Sequence, residues 1–138
     1  MNKIKVKNSG IIKFKVFKDY PDGDLFIAEA RREIPFDVKR IYFINNFKDG
    51  SVVRGRHAHK KLKQVIICLS GSFDLLLDDG HKRQILKMDN PGIGVLLGNY
   101  LWHEMNNLSD DCVILVLAGD YYRESDYIRD YDKFIERS

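Results

Sequence analysis

An all-β sandwich or barrel, with one helix near the end of the chain, is the fold this sequence predicts. Three observations lead there. Short apolar segments recur at close intervals along most of the 138 residues. Gly, Pro and Asp-Gly punctuation separates them. Apolar residues take up helical spacing only near the C-terminus. A chain of this length builds one core rather than two, so residues 1–138 are expected to form a single domain.

Residues 11–17 read Ile-Ile-Lys-Phe-Lys-Val-Phe, and the alternation from Ile12 to Val16 predicts a half-buried strand. Pro21 and Gly23 mark a turn, and residues 25–30 form a second strand that ends before Pro35. In a third strand, residues 38–44, Lys39, Ile41 and Phe43 share one face. Val38, Arg40, Tyr42 and Ile44 share the other. After a loop over 45–51 comes Arg54-Gly55-Arg56-His57-Ala58-His59, which leads into an apolar strand over 64–69. Gly71 breaks that run, and residues 72–77 resume it. Asp78-Asp79-Gly80-His81 is a hairpin turn returning through 82–88. Residues 94–98, 101–105 and 112–118 complete the strands. Tyr127, Ile128, Tyr131 and Phe134 then predict a helix that seals one barrel end, with Ser125 or Asp126 as its N-cap.

Composition excludes several classes. Hydrophobic residues make up 44% and charged residues 31%, as in an ordinary globular protein. No apolar run approaches the ~20 residues of a membrane-spanning helix. The basic start of the chain has no apolar segment behind it, so a cytoplasmic protein is expected, without a membrane partner. A net charge of +3, with scattered lysines, argues against nucleic acid and suits a small anionic ligand. Cys68 and Cys112 lie in apolar runs and are expected to be buried free thiols. There is no Gly-rich phosphate loop, dinucleotide fingerprint or CxxC pair.

The chemistry gathers around His57 and His59. Strand geometry turns both imidazoles to one side. With His103 from a later strand they match a β-barrel metal site, except that Gln64 holds the acidic position. A neutral amide supplies no charge to balance a divalent ion, which weakens that reading. Acid–base catalysis by histidine is a second reading, and surface or packing histidines a third. Flanking Arg54 and Arg56 fit a site that meets an anion better than a core. Tyr42 and Arg40 share a strand face; the tyrosine suits packing, whereas an inward guanidinium needs an anionic partner. Trp102 is read as core.

Several of these segments, taken together, resemble the cupin-fold sugar nucleotide 3,4-ketoisomerases. They are residues 54–61, Gln64-Val65, Trp102-His103-Glu104-Met105, Asp120-Tyr121-Tyr122 and residues 125–132. The likeness runs from about Ile34 to near the end of the chain. It implies a jelly-roll double-stranded β-helix and a homodimer that exchanges N-terminal strands. It also implies catalysis with neither metal nor other cofactor, in keeping with Gln64. The implied substrate is dTDP-4-oxo-6-deoxyglucose and the implied product its 3-oxo isomer. That product feeds an aminotransferase making 3-amino-3,6-dideoxy sugars for surface glycans, such as lipopolysaccharide O-antigen.

By position, His57 matches the family's proposed proton-transfer residue, Tyr42 its active-site tyrosine and His59 the second motif histidine. Where this chain has His103, some members have Arg, and His accompanies the galacto configuration at C4. Arg40 and Arg54 are expected at the pyrophosphate, and Gln64 in the substrate site. The chemistry asks for such a set. Moving a ketone from C4 to C3 removes the C3 proton, passes through an enediol and protonates C4. One base of near-neutral pKa above the C3–C4 edge suffices, with hydrogen-bond donors at the enediolate oxygen. Two rivals are a cupin 3,5-epimerase of the same sugars and a cupin that binds sugar nucleotide without catalysis.

Overall fold

The computed structural model describes residues 3–137. Its strands are β1 (Ser9–Lys13), β2 (Lys15–Lys18), β3 (Asp24–Ile27), β4 (Arg40–Ile44), β5 (Arg54–His59) and β6 (Gln64–Ser70). They continue with β7 (Phe73–Asp78), β8 (Arg83–Met88), β9 (Ile93–Leu97), β10 (Trp102–Asn106), β11 (Val113–Ala118) and β12 (Tyr127–Ile128). A 3-10 turn over Glu124–Asp126 precedes β12, and helix α1 (Tyr131–Arg137) follows it. One antiparallel sheet has the order β1-β9-β6-β11-β4, the other β12-β5-β10-β7-β8. This is the jelly roll that the resemblance implies, with its core between the two sheets.

That core holds Ile66, Phe73, Leu75, Leu77, Val95, Ile114 and Val116. The middle of β6, from Val65 to Cys68, is an uninterrupted apolar run because both its faces are covered. Ile66 points into the core, while Val65 and Ile67 pack under Phe14 and Ile34 on the outer face. A third cluster joins Ala58, Leu76, Trp102, Ile128 and Phe134, and holds the C-terminal segment against the second sheet. The predicted hairpin turn joins β7 to β8, with Gly80 at φ 91°.

Two expectations need correcting. The strand predicted over 11–17 is divided at Phe14 between β1 and β2. Phe14 donates its N–H to Gly92 O at 2.9 Å and buries its ring, and the chain then leaves for a separate hairpin, β2–β3. The tail is not helical from Tyr127. Tyr127 and Ile128 pair with β5, opposite His59 and Ala58, and only residues from Tyr131 onward are helical. The residue capping α1 is therefore Asp130, which accepts the Asp132 N–H at 2.9 Å, rather than Ser125 or Asp126.

Candidate active site

Strand β5 lies between β12 and β10, which decides what its histidines meet. The register sets His57 opposite His103 and His59 opposite Tyr127. A bulge interrupts the β5–β10 pairing just beyond His57 and His103. Gly55 has φ 84° there, and a Cβ on it would stand 3.0 Å from His103 O, so only glycine fits. The bulge folds the His57 ring back until Nδ1 lies 3.0 Å from Gly55 O. Ring centroids are 4.9 Å apart for His57–His59, 4.7 Å for His57–His103 and 6.2 Å for His59–His103. The structure thus brings together the three histidines that the sequence singles out.

Their hydrogen bonds share one pattern. Each Nδ1 faces an acceptor: Gly55 O for His57, the Asp126 carboxylate at 3.1 Å for His59, and Leu101 O at 3.3 Å for His103. An acceptor at Nδ1 places the proton there and leaves Nε2 with its lone pair. Burial disfavours the charged form of all three. His57 titrates below its ordinary value, chiefly through desolvation. Desolvation and the nearby His57 bring His59 down to about 4, against the pull of Asp126. His103 is lowered well below the usual range by burial and by the other two histidines. At neutral pH the site therefore holds three uncharged imidazoles with basic Nε2 atoms. Among the described residues, no group of three or more His, Cys, Asp or Glu side chains is arranged to hold a metal ion.

Strand β4 adds the rest, with Arg40, Tyr42 and Ile44 on its inward face as its alternation predicts. Gln64 Nε2 donates to Tyr42 Oη at 2.9 Å, which leaves the phenolic O–H free to donate elsewhere. Burial raises the Tyr42 pKa, so the hydroxyl keeps its proton. A cavity of about 380 Å³ opens at the barrel mouth, and Arg40, Tyr42, Arg54, His57, Gln64 and His103 all line it. His59 is not among its lining residues. On the far side a second cavity of about 550 Å³ is lined by Arg40, His59, Lys60, Lys61 and Arg123 among others. Four buried polar atoms in this region have no hydrogen-bond partner: Arg40 Nε and Nη2, His59 Nε2 and Gln64 Oε1. Donors and acceptors left open together mark a place built for a polar ligand. Arg54 lies exposed at the rim.

The tail supplies residues that periodicity does not reveal. Tyr127 lies 4.4 Å from the His59 ring and 4.9 Å from the His57 ring. Arg129 stacks on Tyr127 at 4.2 Å and is held by both oxygens of Glu124. Both residues line the mouth cavity. Read as one helix, the tail hides them; a β-branched or Gly-bounded pattern that would announce β12 is missing from so short a strand.

The family described as "FdtA: WxcM-like, C-terminal" matches residues 7–138. A TDP-4-oxo-6-deoxy-alpha-D-glucose-3,4-oxoisomerase of Aneurinibacillus thermoaerophilus is 49% identical over 124 residues, 90% of this chain and 88% of that protein. Among solved structures, a mutant of the 3,4-ketoisomerase QdtA of Thermoanaerobacterium thermosaccharolyticum, in complex with TDP-4-keto-6-deoxyglucose, superposes with a TM-score of 0.92. It shares 42% identity over 96% of this chain and 94% of that one. The TDP-quinovose 3,4-ketoisomerase WlaRB of Campylobacter jejuni gives 0.89 at 40% identity, over 95% and 99% of the two chains. A 3'-monoepimerase of Streptomyces bikiniensis, at 16% identity and a TM-score of 0.78, shares the fold alone.

Proposed function

The chain belongs to the FdtA family, the sugar nucleotide 3,4-ketoisomerases, and on that footing we propose the following reaction. The protein is an isomerase that converts dTDP-4-oxo-6-deoxyglucose into the 3-oxo-6-deoxy sugar nucleotide. His57 Nε2 takes the proton from C3 and returns it to C4. Tyr42 donates a hydrogen bond to the C4 oxygen as the enediolate forms. His59 Nε2 carries the hydroxyl proton from the C3 oxygen to the C4 oxygen. His57 then protonates C4 while the C3 carbonyl forms, and both histidines end neutral. Arg40, with Nε and Nη2 unpaired, and Arg54 at the rim meet the pyrophosphate. Gln64 sets the Tyr42 hydroxyl and lines the sugar site. His103 faces His57 across the strand pair and directs protonation to the face of C4 that gives the galacto product.

One observation carries this reading. Three uncharged imidazoles, each tied at Nδ1, converge near the Tyr42 hydroxyl. Such a set can take up protons from the sugar and return them at neutral pH. The test is incubation with dTDP-4-oxo-6-deoxyglucose and NMR of the product. A 3-oxo sugar of galacto configuration is expected. Inversion at C5 with the ketone still at C4, or no turnover, would overturn the reaction, and a gluco product would overturn the role of His103.

The working form in this proposal is a homodimer that exchanges its N-terminal hairpin. Support comes from two surfaces. Strand β4 is a sheet edge with Ile41 and Phe43 exposed, and the β2–β3 hairpin stands apart with Phe17 and Leu25 exposed. No described helix is long and apolar enough to cross a membrane. A cytoplasmic setting suits the free, buried Cys68 and Cys112.

A further inference from the structure

Asp126 closes the 3-10 turn before β12, and its carboxylate is fully engaged. Oδ1 accepts the Lys61 N–H at 2.9 Å. Oδ2 accepts the Leu62 N–H at 3.2 Å and faces His59 Nδ1 at 3.1 Å. The Asp126 carbonyl accepts the Lys60 N–H at 2.9 Å. Three consecutive backbone amides therefore hold Asp126, two of them at its carboxylate, and the carboxylate fixes the ring. The other two histidines of the site are tied by neutral carbonyls. Of the three, His59 alone has an anion against Nδ1, and that anion partly offsets the burial that opposes its protonation.

We infer that Asp126 is a positioning residue for the ketoisomerase reaction. It holds His59 as the Nδ1–H tautomer, with Nε2 open to accept a proton, and it stabilises the imidazolium while His59 carries the proton between the two oxygens. The inference rests on the proton-transfer role given to His59 above. The groups around His59 agree with that role. His57 on its own strand and Arg40 from β4 oppose its protonation, while Asp126 favours it. The His103 ring from β10 stacks at 6.2 Å, and the Tyr127 ring from β12 lies edge-on at 4.4 Å.

The experiment pairs spectroscopy with kinetics. Long-range 1H–15N NMR of histidine-labelled, ligand-free protein should show His59 protonated at Nδ1, and Asp126→Asn should lose that single-tautomer signature. A wild-type His59 with its proton on Nε2 would overturn the proposal without any variant, even if the reaction itself proved to be different. In steady state, Asp126→Asn should lower kcat about 10- to 100-fold with KM within about threefold, the scale on which an orienting partner of histidine acts. The acid limb of its pH–kcat profile should shift as well. In a His59→Asn background the same change should add nothing, because Asp126 acts through that ring. Asp126→Glu, which keeps the charge, should restore most of kcat. A kcat and pH profile unchanged in Asp126→Asn, with only a lower Tm, would overturn the proposal and leave Asp126 as a loop cap.

Discussion

A half-buried histidine that works by moving a carbon-bound proton must be neutral when substrate arrives. His57 meets that condition through desolvation at the barrel mouth. Replacing it by Asn keeps one hydrogen-bonding edge but removes the base. His57→Asn is expected to lower kcat by about 10²- to 10⁴-fold. Affinity for dTDP should stay within about threefold, because the base acts at the sugar. Single-turnover product formation and calorimetric titration with dTDP check the two halves; unchanged turnover would remove His57 from the reaction. The same burial links the site to stability. His59 falls from 6.5 unfolded to about 4 folded, so the unfolded chain binds more protons between those values. Its contribution is full above pH 6.5 and is lost as pH falls toward 4. Unfolding free energy should thus drop by about 2 kcal/mol from this residue alone between pH 7 and pH 5. Urea titrations at the two pH values measure it, and equal stabilities would show that the ring is not held neutral.

At the scale of an element, β5 carries the site and Gly55 carries β5. Gly55→Ala would place a side chain at φ 84°, against His103 O at 3.0 Å and Met105 Sδ at 3.2 Å. A cost of about 2–3 kcal/mol and a Tm lower by about 5–10 °C are expected. Activity should fall with it, because the His57 ring is aimed by the Gly55 carbonyl; a variant of wild-type Tm and kcat would contradict the assignment of the bulge. The sequence made the histidine pair legible, since an i, i+2 spacing survives the bulge. The inward face of β4, with Arg40, Tyr42 and Ile44, follows from plain alternation. The division at Phe14 was not legible, because apolar–lysine alternation runs straight through it while the chain changes sheets. The tail misled for a related reason. Tyr127, Ile128, Tyr131 and Phe134 all face the body of the protein, which satisfies helical spacing, yet the first two do so as a strand. Asp126 looked like a helix cap because aspartate before an apolar run usually is one. Here its acceptor capacity is spent on the loop after β5 and on His59.

Across the whole molecule, the unpaired features are peripheral and complementary. Ile41 and Phe43 are 63% and 66% exposed on an edge strand, too much apolar surface to leave in water beside an open ladder. Phe43→Lys is expected to convert a dimer into monomer at micromolar concentration, as measured by sedimentation velocity. A wild type that sediments as a monomer, or a variant that stays dimeric, would remove β4 from the interface. The tail has a consequence that belongs to synthesis. His59 finds its carboxylate 67 residues later in the chain, and Asp78 finds the Tyr131 hydroxyl 53 residues later. A ribosome that has made the three histidines of the site has not yet made Asp126, Tyr127 or Phe134. Strand β11 ends at Ala118, and the segment that packs against the site, β12 included, is made after it. On the proposed roles, the nascent chain becomes catalytically competent only once this segment is made, and a product stopped before it carries the site histidines without the carboxylate proposed to set them.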